Sequence, residues 1–470
     1  MTGHPRAVAH RSLNASPAEF AAAGEPRGPP DVPLWQILRR QRTDPLERWN
    51  GLREQFGEVA RYRYGLTDTY FLTSAEGARR VLQENAANYT KQHPAYGMLR
   101  RLFGNGLFTS EGSFWLRQRR LAQPAFHRQR IAAMGAQMTA AAEAALPAWE
   151  AKAAAGEPVS MLREMAALTL RVVGDALFGT ALAARAQPVA ASWEVLNAQL
   201  VERYSSLRLV PPILPTRYDR DFRRARRTLF AVVDEIIADK RAHGGESDDL
   251  LSLLMHVRDE DTGEQMDDAQ LRDEVVTLLL AGHETTAIAL AWTWTLLAQH
   301  PDAAARLHDE LHRVLAGRAP TAADYERLPF ARAVIDEALR LRSPVYILFR
   351  RACADDVVCG QRVRKGATIV LSPLLLHRHP AYWDAPGEFR PERWADAAAA
   401  ERRPRFAFLP FSGGPRQCIG NGFAMLEAVL LLATLAQRFE ARLAPGYTPA
   451  PEYLVLARPS QGAPMTLHRR

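Results

Sequence analysis

Cys418 is the residue of this chain whose surroundings most strongly suggest chemistry. The sequence has 470 residues and only 3 cysteines, and Cys418 lies in the stretch FLPFSGGPRQCIGNGFAMLEA, between a Gly- and Pro-rich loop and an apolar helical pattern. Most free cysteines in intracellular proteins are buried and inert. A nucleophilic cysteine needs a base, and no histidine lies near Cys418 in the sequence. The third interpretation is that the thiolate is a ligand of a haem iron.

The residues around the cysteine favour the haem interpretation. A helix that begins just beyond a cysteine stabilises the thiolate with its N–H groups and the positive end of its dipole. Gly414 and Gly420 allow the backbone to approach a flat macrocycle. Arg416 can bind a haem propionate through a charge-assisted hydrogen bond, and Phe411 can cover the sulfur. The pattern FxxGxRxCxG therefore predicts a haem-thiolate site.

A second chemical site is predicted inside a long apolar helix. The helical pattern runs from about Asp268 to His300, which at 1.5 Å per residue is roughly 50 Å. A carboxylate at the centre of a bilayer costs roughly 2.5–3.5 kcal/mol, so Glu284 disfavours a membrane span. The segment AGHETT also combines a glycine with β-branched residues, which weaken a helix. Glu284 and Thr285 instead predict a proton relay beside a bound small molecule, with a simple core helix as the alternative.

A third motif is structural. Glu337 and Arg340 are three residues apart and share one helix face. Such pairs are common, and an exposed one contributes about 0–1 kcal/mol. Arg393, in the downstream segment FRPERW, would complete a Glu–Arg–Arg network that fixes an irregular segment to the helical core.

With these motifs in this order, the sequence resembles the cytochrome P-450 family of haem-thiolate monooxygenases, of the soluble bacterial type, from about Leu34 to the C terminus. The resemblance implies a mainly α-helical, roughly triangular fold with small β-sheets. In that fold haem b lies between the long central helix and the C-terminal helix after the cysteine loop. The resemblance makes Cys418 the iron ligand and Glu284 and Thr285 the catalytic, oxygen-activating pair.

The resemblance also assigns supporting residues. The structural triad is Glu337, Arg340 and Arg393. The other cofactor-binding residues are Trp115 and Arg119 of the WLRQR segment, Arg350, and the loop residues Phe411, Gly414, Arg416 and Gly420. The predicted substrate pocket is apolar and is lined by Phe103, Leu107, Phe108, Leu278, Ala281, Val345, Ile347, Leu348, Leu454 and Val455. Tyr96, Arg100 and Arg203 are possible carboxylate anchors, with an ordinary surface position as the favoured interpretation of each.

The implied reaction is hydroxylation or epoxidation of a hydrophobic, lipid-like substrate such as a fatty acid, terpenoid, steroid or polyketide. It uses dioxygen and electrons from a separate ferredoxin or flavodoxin with its reductase. Arginines at positions 117, 120, 128, 130, 402, 403 and 405 are predicted to receive this acidic partner. The alternatives are a peroxide-driven oxygenase of the same fold, which has no need of the Glu284–Thr285 pair, and a non-catalytic haem-binding sensor, which leaves the apolar pocket unexplained.

The remaining sequence patterns predict the elements that position these residues. Helical periodicity is expected over 34–56, 75–84, much of 112–256, the segment between Pro329 and Pro344, and from just after Cys418 to about Phe439. A hairpin is expected over 58–74 and a strand over 363–372. An apolar, Pro-rich loop is expected over 205–218. Residues 1–30 are predicted to form a flexible leader, and 31–470 a single haem domain.

Composition bounds the remaining possibilities. The net charge is +8 and the pI about 9.6, which favours acidic partners. The arginines are scattered along the chain, so a nucleic-acid partner is not expected. Three cysteines without zinc spacing predict no disulfide framework and a cytoplasmic location. The first thirty residues have no long apolar run, so no transmembrane anchor is predicted. The chain is expected to be a monomer.

Overall fold

The computed structural model describes residues 14–30, 45–64, 67–179, 186–205, 217–242, 249–259 and 261–470. The chain divides into two compact units. The smaller unit comprises Met1–Gly97, Tyr346–Gly387 and Glu401–Cys418; the larger unit comprises Met98–Val345, Glu388–Ala400 and Ile419–Arg470. The single haem domain over 31–470 stays a prediction. The predicted loop over 205–218 lies almost wholly outside the described residues, as does the start of the helix predicted over 34–56.

The strands are short. They are β1 Val59–Tyr64, β2 Thr67–Leu72, β3 Tyr89–Thr90, β4 Val159–Ser160, β5 Leu348–Ala352, β6 Asp356–Val358, β7 Gln361–Val363, β8 Thr368–Leu371, β9 Phe439–Leu443, β10 Pro451–Tyr453, β11 Ala457–Pro459 and β12 Pro464–Arg469.

Helices make up most of the described chain. They are α1 Pro17–Ala22, α2 Pro45–Phe56, α3 Ala75–Arg79, α4 Pro94–Phe103, α5 Gly112–Ala122, α6 Arg128–Ala133, α7 Gly135–Ala155, α8 Met161–Phe178, α9 Ala186–Ser205, α10 Arg217–Ala242, α11 Leu250–His256, α12 Asp268–Gln299, α13 Pro301–Leu315, α14 Pro329–Leu341, α15 Pro373–Leu376, α16 Ala397–Arg402 and α17 Asn421–Ala436.

The smaller unit is built on a five-stranded sheet in the order β1-β2-β8-β5-β3. The predicted hairpin is confirmed, because β1 and β2 pair antiparallel from Val59 opposite Leu72 to Tyr64 opposite Thr67. β8 runs parallel to β2 and antiparallel to β5, and all four of its residues are buried. The strand predicted over 363–372 is shorter than expected. A turn over 364–367 separates β7 from β8, with Gly366 at φ +81°.

Part of the predicted leader packs against other segments of the smaller unit. Ser16 caps α1 in a reciprocal capping box with Glu19. The Arg362 side chain donates from Nε to the carbonyl of Phe20 at 2.7 Å and pairs with Glu25 at 3.2 Å. The segment from Phe20 to Glu25 is therefore held against β7.

The larger unit is organised around α12, and the predicted bounds of this helix are confirmed to within one residue. Asp267 caps its first turn in a capping box with Gln270, and Pro301 opens the next helix. α12 is long and apolar enough to cross a membrane, but 72% of its most apolar 18-residue stretch is buried inside the protein. It is therefore a core helix, as the central carboxylate suggested.

The Glu337 carboxylate fixes an irregular segment of the larger unit. Arg340, one turn along α14, donates to both of its oxygens at 2.8 and 2.9 Å, and Arg393 donates at 2.9 Å. The Arg390 amide and the Trp394 indole donate to the same carboxylate, at 2.8 and 3.0 Å. The side chains of Glu337 and Arg340 are fully buried. The structure thus brings the three predicted triad residues together.

Loss of the Glu337 charge is expected to be costly. In Glu337→Gln two arginines stay largely buried without a carboxylate, so the free energy of unfolding should fall by about 3–5 kcal/mol, as measured by urea denaturation. The matched control is Glu392→Gln, because Glu392 pairs with Arg306 on the surface. This control should cost about 0–1 kcal/mol. Equal losses in the two variants would contradict the role given to the buried network.

Candidate functional site

The predicted cysteine loop lies at the end of the smaller unit. The Cys418 amide donates to the carbonyl of Phe411 at 3.0 Å, which closes the loop around a short 3-10 turn, Gly414–Arg416. Gly414 has φ +68°, and a Cβ there would lie 1.7 Å from the carbonyl oxygen of Leu82. A close approach to protein backbone thus requires this glycine, a reason that the sequence did not reveal. The Cys418 side chain is exposed.

Gly420 differs from Gly414. It begins the part of the larger unit that leads into α17, and an added Cβ would meet only a ring atom of Phe126, at 3.8 Å. That distance is an ordinary van der Waals contact, so the protein alone does not require a glycine at this position. The prediction that Gly420 leaves room for a macrocycle therefore fits its surroundings.

Arg350 is a buried cation in the smaller unit. It is 3% exposed, and its Nη1 donates to the carbonyl of Phe349 at 2.8 Å and to the hydroxyl of Tyr96 at 3.3 Å. Within the described ranges, no carboxylate forms an ion pair with it. A buried guanidinium without an anion fits a site for a propionate. Tyr96 is 7% exposed, so the surface position favoured for it is wrong.

The other predicted propionate contacts lie in the larger unit. Trp115 and Arg119 are half-buried and one turn apart on α5. The Nε of Arg119 donates to the amide oxygen of Gln123 at 3.1 Å, which orients the guanidinium. These side chains are spaced to share one face of the helix.

The centre of α12 has an opening in an otherwise buried helix. Ala281 is exposed, whereas most residues on either side of it are buried. The Thr285 hydroxyl donates to the carbonyl of Ala281 at 2.8 Å, and Thr286 donates to Gly282 at 3.0 Å. Thr169 of α8 donates to the carbonyl of His283 at 2.9 Å. Three successive carbonyls of α12 thus accept a threonine hydroxyl, two from within α12 and one from α8.

Glu284 is held next to this opening. Asn197 of α9 donates from Nδ2 to Glu284 Oε1 at 2.8 Å. Burial raises the pKa of Glu284 to about 7, although the Asn197 hydrogen bond and the charge of Arg458 act in the opposite direction. A carboxyl group with this pKa exchanges protons near neutral pH, which is what a proton relay requires.

Sequence reasoning missed a second carboxyl group close to α12. Glu427 on α17 is fully buried, and within the described structure neither of its oxygens makes a hydrogen bond of standard geometry. Burial raises the pKa of Glu427 well above its ordinary value, and the Thr286 hydroxyl offsets only part of this increase. Its burial therefore favours the protonated, neutral form of this carboxyl group. Its signal was a single carboxylate inside the apolar run FAMLEAVLLLATLA.

The predicted pocket residues are divided between the two units. In the larger unit Phe103 and Leu107 are buried, and the ring of Phe103 packs edge-on against Phe108, with centroids 5.7 Å apart. Half-buried members of the same unit are Leu278, Val345, Leu454 and Val455, and Ala281 is exposed. In the smaller unit Ile347 is half-buried, and Leu348 begins β5.

Several arginines that were predicted to bind a redox partner are already paired. Arg117 contacts Glu264, Arg120 contacts Asp259 at 2.9 Å, and Arg128 contacts Glu326 at 2.9 Å. Their positive charges are therefore partly neutralised, and the sequence overstated the basic character of this surface.

Another cysteine lies among acidic side chains. Cys359 is grouped with Glu58 and Glu76, and their potential ligand atoms lie within 4.8 Å of one another. Burial raises the pKa of the Cys359 thiol to about 11, and both carboxylates add to this increase. This thiol is protonated at neutral pH, unlike a thiolate metal ligand.

Comparisons with known proteins identify the class. The chain matches the family Cytochrome P450 over residues 26–465. It is 38% identical over 416 residues to cyclooctatin synthase of Streptomyces melanosporofaciens, and the aligned region covers 87% of this chain and 88% of that protein. Cyclooctat-9-en-7-ol 5-monooxygenase of the same organism is 36% identical over 393 residues, covering 83% and 84%. Pentalenene oxygenase of Streptomyces avermitilis is 34% identical over 432 residues, covering 91% and 92%.

A solved structure agrees with these relatives. The crystal structure of the cytochrome P450DA heme domain superposes with a TM-score of 0.86 at 29% identity, covering 95% of this chain and 98% of that one. The chain therefore belongs to the cytochrome P450 family. It is a haem-thiolate monooxygenase that acts on a lipophilic substrate with dioxygen and a redox partner. The predicted family, fold class and enzyme class are confirmed.

The buried Glu427 predicts a dependence of stability on pH. The folded protein keeps a proton that the unfolded chain releases above the ordinary pKa of 4.5, so the wild type loses stability as the pH rises through this window. Glu427→Gln does not titrate. Its free energy of unfolding relative to wild type should therefore increase with pH between about pH 5.5 and 7.5, with a slope of at most about 1.4 kcal/mol per pH unit, as measured by urea denaturation.

The control for this experiment is Glu194→Gln, at an exposed position on α9. We expect its difference from wild type to stay constant over the same pH range. A Glu427→Gln difference that is equally flat would show that the Glu427 carboxyl is ionised or solvated in the folded protein.

Proposed function

We propose that this enzyme hydroxylates a terpenoid at a haem b whose iron is bound by Cys418. The observation that carries the proposal is the substrate named for the relatives, since pentalenene and cyclooctat-9-en-7-ol are both terpenoids. Apolar residues around the opening at Ala281 support a lipophilic substrate of this kind. Epoxidation of a double bond remains within the same chemistry.

The choice of Cys418 over the other cysteines rests on its surroundings. Cys418 is exposed, lies in the loop pattern described above, and is followed three residues later by the start of α17. A helix N terminus favours a thiolate. Cys359 has the opposite environment, with two carboxylates that keep its thiol protonated. Haem-thiolate ligation by Cys418 is thus the assignment that the electrostatics support.

The residues present fit a haem. Arg350, Arg416, Arg119 and Trp115 would hold the propionates, and the buried guanidinium of Arg350 needs such an anion. When bound, the haem supplies the activation of dioxygen through its thiolate-ligated iron. The protein supplies the binding, orientation and proton transfer.

Glu284 and Thr285 would deliver protons next to the bound substrate. The hydroxyl hydrogen of Thr285 is donated to the carbonyl of Ala281, so its oxygen is left to accept a hydrogen bond from a water or ligand. Glu284 is oriented by Asn197, and its pKa of about 7 lets it pick up a proton and release it again. Thr285 would position the water or ligand that is hydrogen-bonded to its oxygen, and Glu284 would supply the proton that is delivered there.

The remaining parts of the proposal concern the cell. A ferredoxin or flavodoxin with its reductase would supply electrons to a monomeric, cytoplasmic enzyme. Because Arg117, Arg120 and Arg128 are engaged in ion pairs, the exposed Arg130, Arg402 and Arg405 are the stronger candidates for contacts with an acidic partner.

The cysteine assignment is tested by absorption spectroscopy. Cys418→Ser is expected to abolish the red-shifted absorption of the reduced carbonyl complex, because the thiolate donor to the iron is lost. The matched control, Cys359→Ser, should keep the wild-type spectrum. Loss of the red shift in Cys359→Ser, with retention in Cys418→Ser, would reverse the assignment.

The substrate class is tested with cyclic terpene hydrocarbons and alcohols. They should shift the haem absorption of the wild type and give hydroxylated products by mass spectrometry when reductant and a redox partner are supplied. Thr285→Ala should bind the same compounds but form at least about tenfold less product per reductant consumed, because Thr285 positions the molecule that receives the proton and well-positioned proton transfer typically contributes roughly 100-fold or more. Thr285→Ser should restore coupling.

Two results would contradict this proposal. Fatty acids that shift the spectrum and are hydroxylated, while terpenes are not, would replace the substrate class. Turnover supported by hydrogen peroxide alone, at the same rate in Thr285→Ala as in the wild type, would favour the peroxide-driven alternative.

A further inference from the structure

The loop that joins α4 to α5, residues 104–111, is attached to α12 by two neighbouring carboxylates. The Asn105 amide donates to Asp273 Oδ2 at 2.7 Å, and the Leu107 amide donates to Glu274 Oε2 at 2.8 Å. The Glu274 side chain is 2% exposed. Two backbone groups of one loop are thus fixed to consecutive residues of the core helix.

The loop lies directly on the helix surface. A Cβ at Gly104, which has φ +75°, would lie 2.2 Å from the carboxyl group of Asp273. A Cβ at Gly106 would lie 2.4 Å from Thr277 Oγ1 and 2.7 Å from the carbonyl oxygen of Asp273. Only glycines therefore allow the approach that brings the two amides to their carboxylates.

The loop is also braced internally. Thr109 donates from Oγ1 to the carbonyl of Gly104 at 2.7 Å, and the guanidinium of Arg100 donates to the carbonyl of Thr109. These bonds tie the C-terminal part of the loop to its start and to α4. The attachment to α12 consequently fixes the loop as one body rather than at two isolated points.

The attachment lies on the stripe of α12 that leads to the opening. Glu274, Leu278, Ala281 and Thr285 are spaced by three or four residues and so share one helix face. At 1.5 Å per residue, Glu274 lies about 10 Å from Ala281 along the helix. The loop carries Leu107 and Phe108, and Phe103 packs on Phe108. The Glu274 carboxyl group therefore limits the distance between the Leu107 and Phe108 side chains and the opening at Ala281.

A carboxyl group is a poor choice for packing alone at this position. Glu274 Oε1 has no hydrogen-bond partner among the described residues, and burial together with Asp273 raises the pKa of Glu274 to about 8. An apolar side chain would avoid the cost of burying this group. The one interaction that requires an acceptor is the bond from the Leu107 amide.

We propose that Glu274 is a positioning residue that holds the Leu107–Phe108 segment as a wall of the substrate space and so favours ligands large enough to contact it. This inference rests on the proposed function, because it takes the space at Ala281 to be the substrate site. Asp273 assists by fixing Asn105.

The test uses the holoenzyme and two variants of similar side-chain length. Glu274→Gln keeps an acceptor for the Leu107 amide, and Glu274→Met removes it. The probes are imidazole and the larger 4-phenylimidazole, whose phenyl ring extends beyond the iron-binding group. Binding is followed by the shift in haem absorption. Hydrogen–deuterium exchange of the peptide that covers residues 104–108 is measured on the same samples.

Glu274→Met should raise the Kd for 4-phenylimidazole by about tenfold, the equivalent of one hydrogen bond of ordinary strength, and speed exchange at Leu107 by a similar factor. Its Kd for imidazole should stay within about twofold of wild type, and Glu274→Gln should stay within about twofold in every measurement. If Glu274→Met does not fold, Asp273→Ala should show the same selective loss through Asn105.

The proposal would be overturned if the ratio of the two Kd values in Glu274→Met equalled that of the wild type. An equal loss of affinity for both probes is one such result. The exchange measurement does not depend on the haem assignment. A wild type without a haem-thiolate spectrum would refute the proposed function, while faster exchange at Leu107 in Glu274→Met would still establish the attachment of the loop.

Discussion

Burial of polar groups along a single long helix is the constraint on which this structure depends. α12 passes through the core of the larger unit and is apolar enough to resemble a membrane span, yet Glu274, Glu284 and Thr285 interrupt its apolar sequence. Each of these groups loses hydration on folding and must recover part of that free energy from a neighbour. The neighbours are a loop amide for Glu274, the Asn197 side chain for Glu284 and the helix's own carbonyl for Thr285. Each polar side chain of α12 thus requires a hydrogen-bonding partner at its own position along the helix.

The buried carboxyl groups of the larger unit differ in how fully they are compensated. Glu337 receives donors from two arginines, one backbone amide and one indole, and it fixes structure. Among the described residues, Glu284 accepts a hydrogen bond from Asn197 and Glu274 accepts one from the Leu107 amide, and burial raises the pKa values of both toward neutrality. Glu427 makes no hydrogen bond of standard geometry within the described residues, and its burial raises its pKa well above the ordinary value. Full compensation suits a structural ion network, whereas partial compensation leaves a proton that can be exchanged near physiological pH.

Local patterns in the sequence predicted much of the framework. The β1–β2 hairpin and the bounds of α12 and α14 were accessible because strand alternation and helical periodicity are short-range signals, reinforced by caps and prolines. Contacts between distant segments were not accessible. Nothing near Arg117 or Arg120 in the chain shows that Glu264 and Asp259 neutralise them, and Gly414 gave no sign of the Leu82 carbonyl against which it packs.

The sequence by itself determined the chemical groups: a cysteine in a glycine-rich loop, an acid–alcohol pair inside a long helix, and a glutamate with two arginines. These could be recognised because their chemistry depends on residue type and short spacing. Only the tertiary structure decided which of the buried acids keep a proton and which segments they hold, including the attachment of Leu107 to Glu274. The physical reason is that the free energy of a buried charge depends on donors and dielectric surroundings that are supplied by parts of the chain far away in sequence.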